Sequence, residues 1–102
     1  MAQHDVVVEF RLKFSKLTNY PEKALILDIT KYCEDHVDAA ILFADLIAAR
    51  LIDPETELNY KLPTFYLIDS IMKNVGGPYA ALFSRHMGEV FIRVYDEVAV
   101  NV

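Results

Sequence analysis

Gly76-Gly77-Pro78 is the sharpest break in a chain with few other places to turn: three glycines and four prolines are spread over 102 residues. Glycine releases the backbone from a helix and proline readily starts one, so the triplet ends one helix and opens the next. Pro21 and Pro54 mark earlier breaks. Between the breaks, apolar residues recur mostly at steps of three and four, the spacing of one helix face. A chain built this way is confined to helices joined by short loops, an all-α antiparallel stack.

Val6 to Leu17 is the ambiguous segment. Val6, Val8, Phe10, Leu12 and Phe14 alternate as in a strand, while Val6, Val7, Phe10, Phe14 and Leu17 follow helical spacing. A lone strand has no pairing partner later in the chain, so a helix is expected. Pro21 fits the first turn of a second helix reaching about Asp35, with an apolar stripe of Leu25, Ile26, Ile29, Tyr32 and Cys33. Val37 to Ile52 is apolar nearly all round and reads as the central, most buried helix. Asp53-Pro54-Glu55-Thr56 is a loop. A fourth helix is expected over Asn59 to Val75, with Pro63 near its first turns, where the lost hydrogen bond costs least. A fifth runs from Pro78 to about Val98. Its core positions are Tyr79, Leu82, Phe83, Val90, Phe91, Val94 and Val98, and its outer face is a charge ladder of Arg85, Glu89, Arg93 and Glu97.

The length suits one domain with modest stability. Hydrophobic residues make up 54 %. Either the helices pack tightly, or some apolar surface meets further chain or a partner. The net charge of −5 argues against blanket attraction to nucleic acid, which needs a basic surface. Cys33 is alone, so no internal disulfide forms and a reducing compartment fits. No apolar run approaches the roughly 20 residues of a membrane span. Met1 to Asp5 lacks the layout of a secretory signal.

The informative segment is Lys61 to Gly76. On a helix, Phe65, Leu67, Ile68, Ile71, Met72 and Val75 share a broad apolar face. Tyr66, Asp69, Ser70, Lys73 and Asn74 share an opposing arc of roughly 140°. This arc suits an extended polar peptide. Asn74 can both donate to and accept from an unpaired backbone, and Asp69 can accept from a hydroxyl. Lys73 can face a phosphate, and Tyr66 offers a flat apolar surface to a proline or tyrosine ring. A solvated helix face carries similar residues, and Asp69 with Lys73 is an ordinary pair four apart.

Lys61-Leu62-Pro63, Tyr66-Leu67-Ile68-Asp69-Ser70-Ile71 and Lys73-Asn74-Val75-Gly76 together resemble the signature of CTD-interacting domains (CIDs). The resemblance points to the subgroup of the pre-mRNA 3′-end cleavage and transcription termination factor. It continues through Pro78-Tyr79 and Phe83-Ser84-Arg85, and so covers Lys61 to Arg85 strongly. It implies a right-handed helical superhelix, VHS/ENTH-like, of about eight helices, of which this chain supplies about five. It also implies a groove for the phosphorylated C-terminal heptad repeats of RNA polymerase II, with a preference for phosphorylation at the second position. Asp69 would meet the heptad tyrosine hydroxyl and Asn74 the peptide backbone. Tyr66, Ser70 and Ile71 would line or support the groove. The subgroup's Asn-Ser-basic-Pro turn before helix two, which forms one wall of the groove, is replaced here by Asn19-Tyr20-Pro21-Glu22-Lys23, in which Asn19 could stand in. Residues 1–102 are therefore read as the amino-terminal part of a CID, truncated before the later helices. One way to complete such a fold is exchange with a second copy, a domain-swapped homodimer.

Other candidates carry less. His4, His36 and His86 fit no metal-ligand motif, and no cofactor is expected. Cys33 sits on an apolar stripe without a catalytic signature, Gly76-Gly77 is not followed by the residues of a phosphate loop, and no acid pair is marked as catalytic. The chain is expected to be a nuclear, non-enzymatic adaptor that brings cleavage and polyadenylation machinery to polymerase. The rivals are a VHS/ENTH-type trafficking adaptor, with only Arg11, Lys13 and Lys16 available for a lipid pocket, and a helical fragment that self-associates.

Overall fold

The computed structural model describes residues 3–85. Among them the order is α1 (Gln3–Ser15), α2 (Lys23–Asp35), a short 3-10 turn (Val37–Ala39), α3 (Ala40–Ile52) and α4 (Leu58–Asn74). A fifth helical segment spans 78–85. The architecture is all-α, with no strand among the described residues.

The ambiguity of the first segment resolves in favour of the helix. Val6, Phe10, Phe14 and Leu17 are buried, at helical steps, whereas Val8 and Leu12 point outward. Pro21 lies two residues before α2 instead of in its first turn, and Glu22 takes the N-cap position. The Glu22 amide donates to the Tyr20 carbonyl at 2.8 Å, a tight turn that ends just where the helix begins.

α3 is not the most buried element that its composition suggests. Ile41 is 62 % and Ile52 57 % exposed, and Leu42 also reaches the surface. Its buried stripe is Ala40, Phe43, Ala44, Ile47 and Leu51. An apolar run can be wider than the face its neighbours cover, and the excess stays wet. The expected start at Val37 is a 3-10 turn, and the α-helix proper begins at Ala40. α4 takes the central position, packed against both α2 and α3. It buries Phe65, Leu67, Ile68 and Ile71. Met72, expected on that apolar face, is 40 % exposed. Pro63 falls in the second turn of α4, close to its start.

Gly76 and Gly77 end α4 with φ of 63° and 53°, the left-handed region that a side chain disfavours. The Gly76 amide reaches back to the Ile71 carbonyl at 3.0 Å, closing the helix end. The chain then turns so that Tyr79 and Phe83 enter the core and Leu82 packs against it. The expected core positions Val90, Phe91, Val94 and Val98, and the ladder beyond Arg85, lie outside the described residues.

Distant side chains satisfy the helix ends. Carbonyls in a last turn have no partner within their own helix. The fully buried Tyr79 donates its hydroxyl to the Cys33 carbonyl in the last turn of α2, at 2.9 Å. Arg50 of α3 donates to the Leu17 carbonyl at 2.7 Å and the Phe14 carbonyl at 2.9 Å, and its guanidinium lies 3.5 Å from the Phe14 ring centroid. Burial pushes that guanidinium down to about 10, still far above neutral, so it stays charged. α1 and α2 are further joined by Tyr32 to the Val6 carbonyl and by Lys13 to Asp28. Phe10 stacks on Phe43 with centroids 4.3 Å apart.

Arg50→Met is expected to cost about 2–3 kcal/mol in urea unfolding, because two carbonyls lose a charged donor. Arg50→Lys should recover less than half, since an ammonium cannot span both carbonyls as a fork. Tyr79→Phe is expected to cost about 1–2 kcal/mol by leaving the buried Cys33 carbonyl without the hydroxyl. Full stability in the phenylalanine variant would show that this bond does not hold the fifth helical segment to α2.

Candidate functional site

Burying one face of α4 sends the opposite face outward, and it meets the start of α2. Between the two helices lies a groove of about 310 Å³. One wall is Tyr66, Asp69, Ser70, Lys73 and Asn74, the five residues of the polar arc. The other is Pro21, Lys23, Ile26 and Leu27. The first wall was read from the spacing of α4. The second requires knowing that α2 packs beside it, which the local pattern does not state; the resemblance alone pointed to the stretch Asn19 to Lys23, which supplies Pro21 and Lys23.

Each α4 side chain has a distinct environment. Tyr66 is half exposed, so part of the side chain is within reach of a ligand. Asp69 and Lys73 form an ion pair at 2.9 Å, with both side chains largely exposed. A surface pair four residues apart contributes only about 0.3–0.5 kcal/mol, so a ligand can displace either group cheaply. Ser70 is half-buried and bridges the helices: its hydroxyl lies 2.8 Å from that of Thr30. Asn74 donates from Nδ2 to the Ser70 carbonyl at 2.9 Å and meets the Ser70 hydroxyl at 3.3 Å. With Lys23, the lining holds two cations and one anion.

Two sequence-derived candidates lie elsewhere. Ile71 is fully buried in the core and fixes α4 from behind, away from the groove surface. Asn19 is exposed and outside the lining; its side-chain oxygen accepts from Thr18 at 3.4 Å. The turn at Tyr20 and Glu22 brings Pro21 to the groove in its place.

Thr30 was missed altogether. It is only 4 % exposed and its hydroxyl donates to the Ile26 carbonyl at 2.7 Å. The available signal was its position, four residues after Ile26 and three before Cys33 on the buried stripe. A polar group there must find a partner.

The remaining candidates are structural in character. Burial pushes the Cys33 thiol up to about 12, so it is protonated and unreactive at neutral pH. Among the described residues, no three His, Cys, Asp or Glu side chains are grouped to hold a metal ion. Lys13, one of three cations considered for a lipid pocket, is committed to Asp28 at 2.9 Å. The hydrogen bond to Asp28 raises its pKa above the ordinary lysine value. No helix among the described residues is long and apolar enough to cross a membrane.

Comparison with known proteins agrees with the all-helical fold. The CID domain model matches residues 9–101. The chain is 34 % identical over 90 residues to Protein PCF11 of Saccharomyces cerevisiae, covering 88 % of this chain and 14 % of that protein. It is 32 % identical over 79 residues to an uncharacterised protein of Schizosaccharomyces pombe, covering 78 % of this chain and 12 % of that protein. It thus spans only a small part of both relatives. Among solved structures it is similar to the crystal structure of the RPR of PCF11, with a TM-score of 0.78 and 35 % identity, covering 87 % of this chain and 66 % of that one. With its all-helical fold and α2–α4 groove, the chain belongs to the CID domain family, whose members are non-catalytic protein–protein interaction modules, and it is of the PCF11 type.

Proposed function

We propose that this chain binds the phosphorylated C-terminal heptad repeats of RNA polymerase II in the α2–α4 groove, and so couples transcription to mRNA 3′-end processing and termination. The observation that carries the reading is the juxtaposition, within a CID domain, of the Tyr66 to Asn74 face with the start of α2. The groove offers what an extended, hydroxyl-rich peptide needs. Asp69 accepts from the heptad tyrosine hydroxyl, leaving its exposed pair with Lys73 to do so. Tyr66 packs on a proline or tyrosine ring. Released from Asp69, Lys73 faces phosphate across the groove from Lys23. The module acts in the nucleus, and its wider partners are the cleavage and polyadenylation factors.

The test is fluorescence anisotropy of a labelled two-repeat heptad peptide, unmodified or phosphorylated at the second position. Saturable binding that prefers the phosphopeptide is expected. Asp69→Ala should weaken binding about tenfold or more, the worth of a charge-assisted hydrogen bond. Its unfolding free energy should stay within about 0.5 kcal/mol of the unaltered chain, as an exposed position allows. A variant that melts early yet binds normally when folded would contradict the groove assignment.

A further inference from the structure

The outer side of α3 carries apolar residues that its neighbours leave uncovered. At about 100° per residue, Ile41, Asp45 and Ile52 fall within about 40° of one another, with Ala49 just beside them. Both isoleucines are more than half exposed, and Asp45 and Ala49 are exposed too. The stripe they form is about 16 Å long, three turns of helix. None of these residues lines the α2–α4 groove. A single wet isoleucine needs no explanation. Two on one helix face, with a small alanine between them, make a shallow apolar seat.

The charge around this seat is one-sided. Asp38, Asp45, Asp53, Glu55 and Glu57 are all exposed, and none of the five makes an ion pair among the described residues. Arg50 is turned inward, to the Phe14 and Leu17 carbonyls. Residues 33–60 hold seven acids and one cation, whereas the rest of the chain holds eight acids and nine cations. The net negative charge of the chain is therefore concentrated on and around α3.

We propose that the outer face of α3, from Asp38 to Asp53, docks a basic amphipathic helix of a partner protein. Its apolar stripe lies on Ile41, Ala49 and Ile52, one cation reaches Asp45, and flanking lysines or arginines meet Asp38 and Asp53. Three observations select this occupant. An extended peptide leaves its backbone groups without partners, and residues 37–55 contain no serine, threonine, asparagine or glutamine to satisfy them. A helix satisfies its own. A second copy of the same face would bring acids against acids. Residues 86–102 hold one arginine against three acids, so the end of this chain does not complement the face either. This surface stands independently of the α2–α4 groove.

The probe is a fluorescein-labelled peptide of leucine and lysine, about fourteen residues long, with leucines at helical steps of three and four. One control has the same composition with leucines alternating, and another has glutamate in place of lysine. Anisotropy should show saturable binding of the probe to the unaltered chain and much weaker binding of both controls. Circular dichroism should show the probe becoming helical as it binds. Joint Ile41→Ser and Ile52→Ser substitution should weaken binding about tenfold or more, from the apolar area left wet. Asp45→Lys should weaken it about fivefold in low salt, by a margin that shrinks as salt is added. All three positions are exposed, so both variants should melt with the unaltered chain. The proposal is overturned if the probe does not bind, if either control binds as tightly, or if the serine variant binds as well as the unaltered chain. It is overturned as well if light scattering shows a dimer of the unaltered chain that the serine variant abolishes, since the face then belongs to a second copy.

Discussion

α4 can remove Phe65, Leu67, Ile68 and Ile71 from water only by pressing one face onto α2 and α3. Helical geometry then turns Tyr66, Asp69, Lys73 and Asn74 away from that contact and leaves Ser70 at its edge, bonded to Thr30 of α2. The same packing that stabilises the domain therefore builds one wall of its groove. Because α4 lies beside the start of α2, Pro21, Lys23, Ile26 and Leu27 become the other wall. The Thr30–Ser70 contact fastens the two walls at a polar point within a mostly apolar interface. A site built on two packed helices keeps its side chains in place better than one carried by loops.

The second requirement is that helix ends inside a small domain find partners. Short connections leave little chain to cap them, so side chains from elsewhere do it. Arg50 caps the end of α1 from α3, and Tyr79 caps the end of α2 from the fifth helical segment. Tyr32 performs a related service, reaching from α2 to the Val6 carbonyl in α1. These bonds join residues 26 to 46 positions apart, so each one fixes tertiary arrangement as well as local structure.

Much of the fold was legible because helical period is a local property. The break at Gly76-Gly77-Pro78, the buried stripe of α2 and the polar arc of α4 all follow from spacing along one helix. What was not legible depends on neighbours. In α1 the period alone left strand and helix open; the lack of a pairing partner decided for the helix, and burial of Val6, Phe10, Phe14 and Leu17 bears that out. The apolar run of α3 gave no hint that Ile41 and Ile52 would stay wet, because nothing in a single helix says how much of it will be covered. Thr30 was not read as a site residue, and only its partner on α4 explains a hydroxyl buried on the α2 stripe. Arg50 drew no attention at all, since a cation near a helix end reads locally as a favourable charge at the dipole. The second groove wall belongs to the packing of two helices and to neither alone, so spacing did not show it; only the family resemblance pointed to the stretch Asn19 to Lys23, of which Pro21 and Lys23 line the groove.

The central claim is that the face of α4 opposite the core, together with the start of α2, is where the heptad repeat binds. The most direct measurement is nuclear magnetic resonance of the isotope-labelled chain titrated with an unlabelled, phosphorylated two-repeat heptad peptide. The account expects chemical-shift changes concentrated at residues 21–27 and 66–74, saturating together with a single affinity. Changes centred instead on the exposed apolar residues of α1 and α3, such as Leu12 and Ile41, would contradict it, as would a spectrum unmoved by peptide in excess.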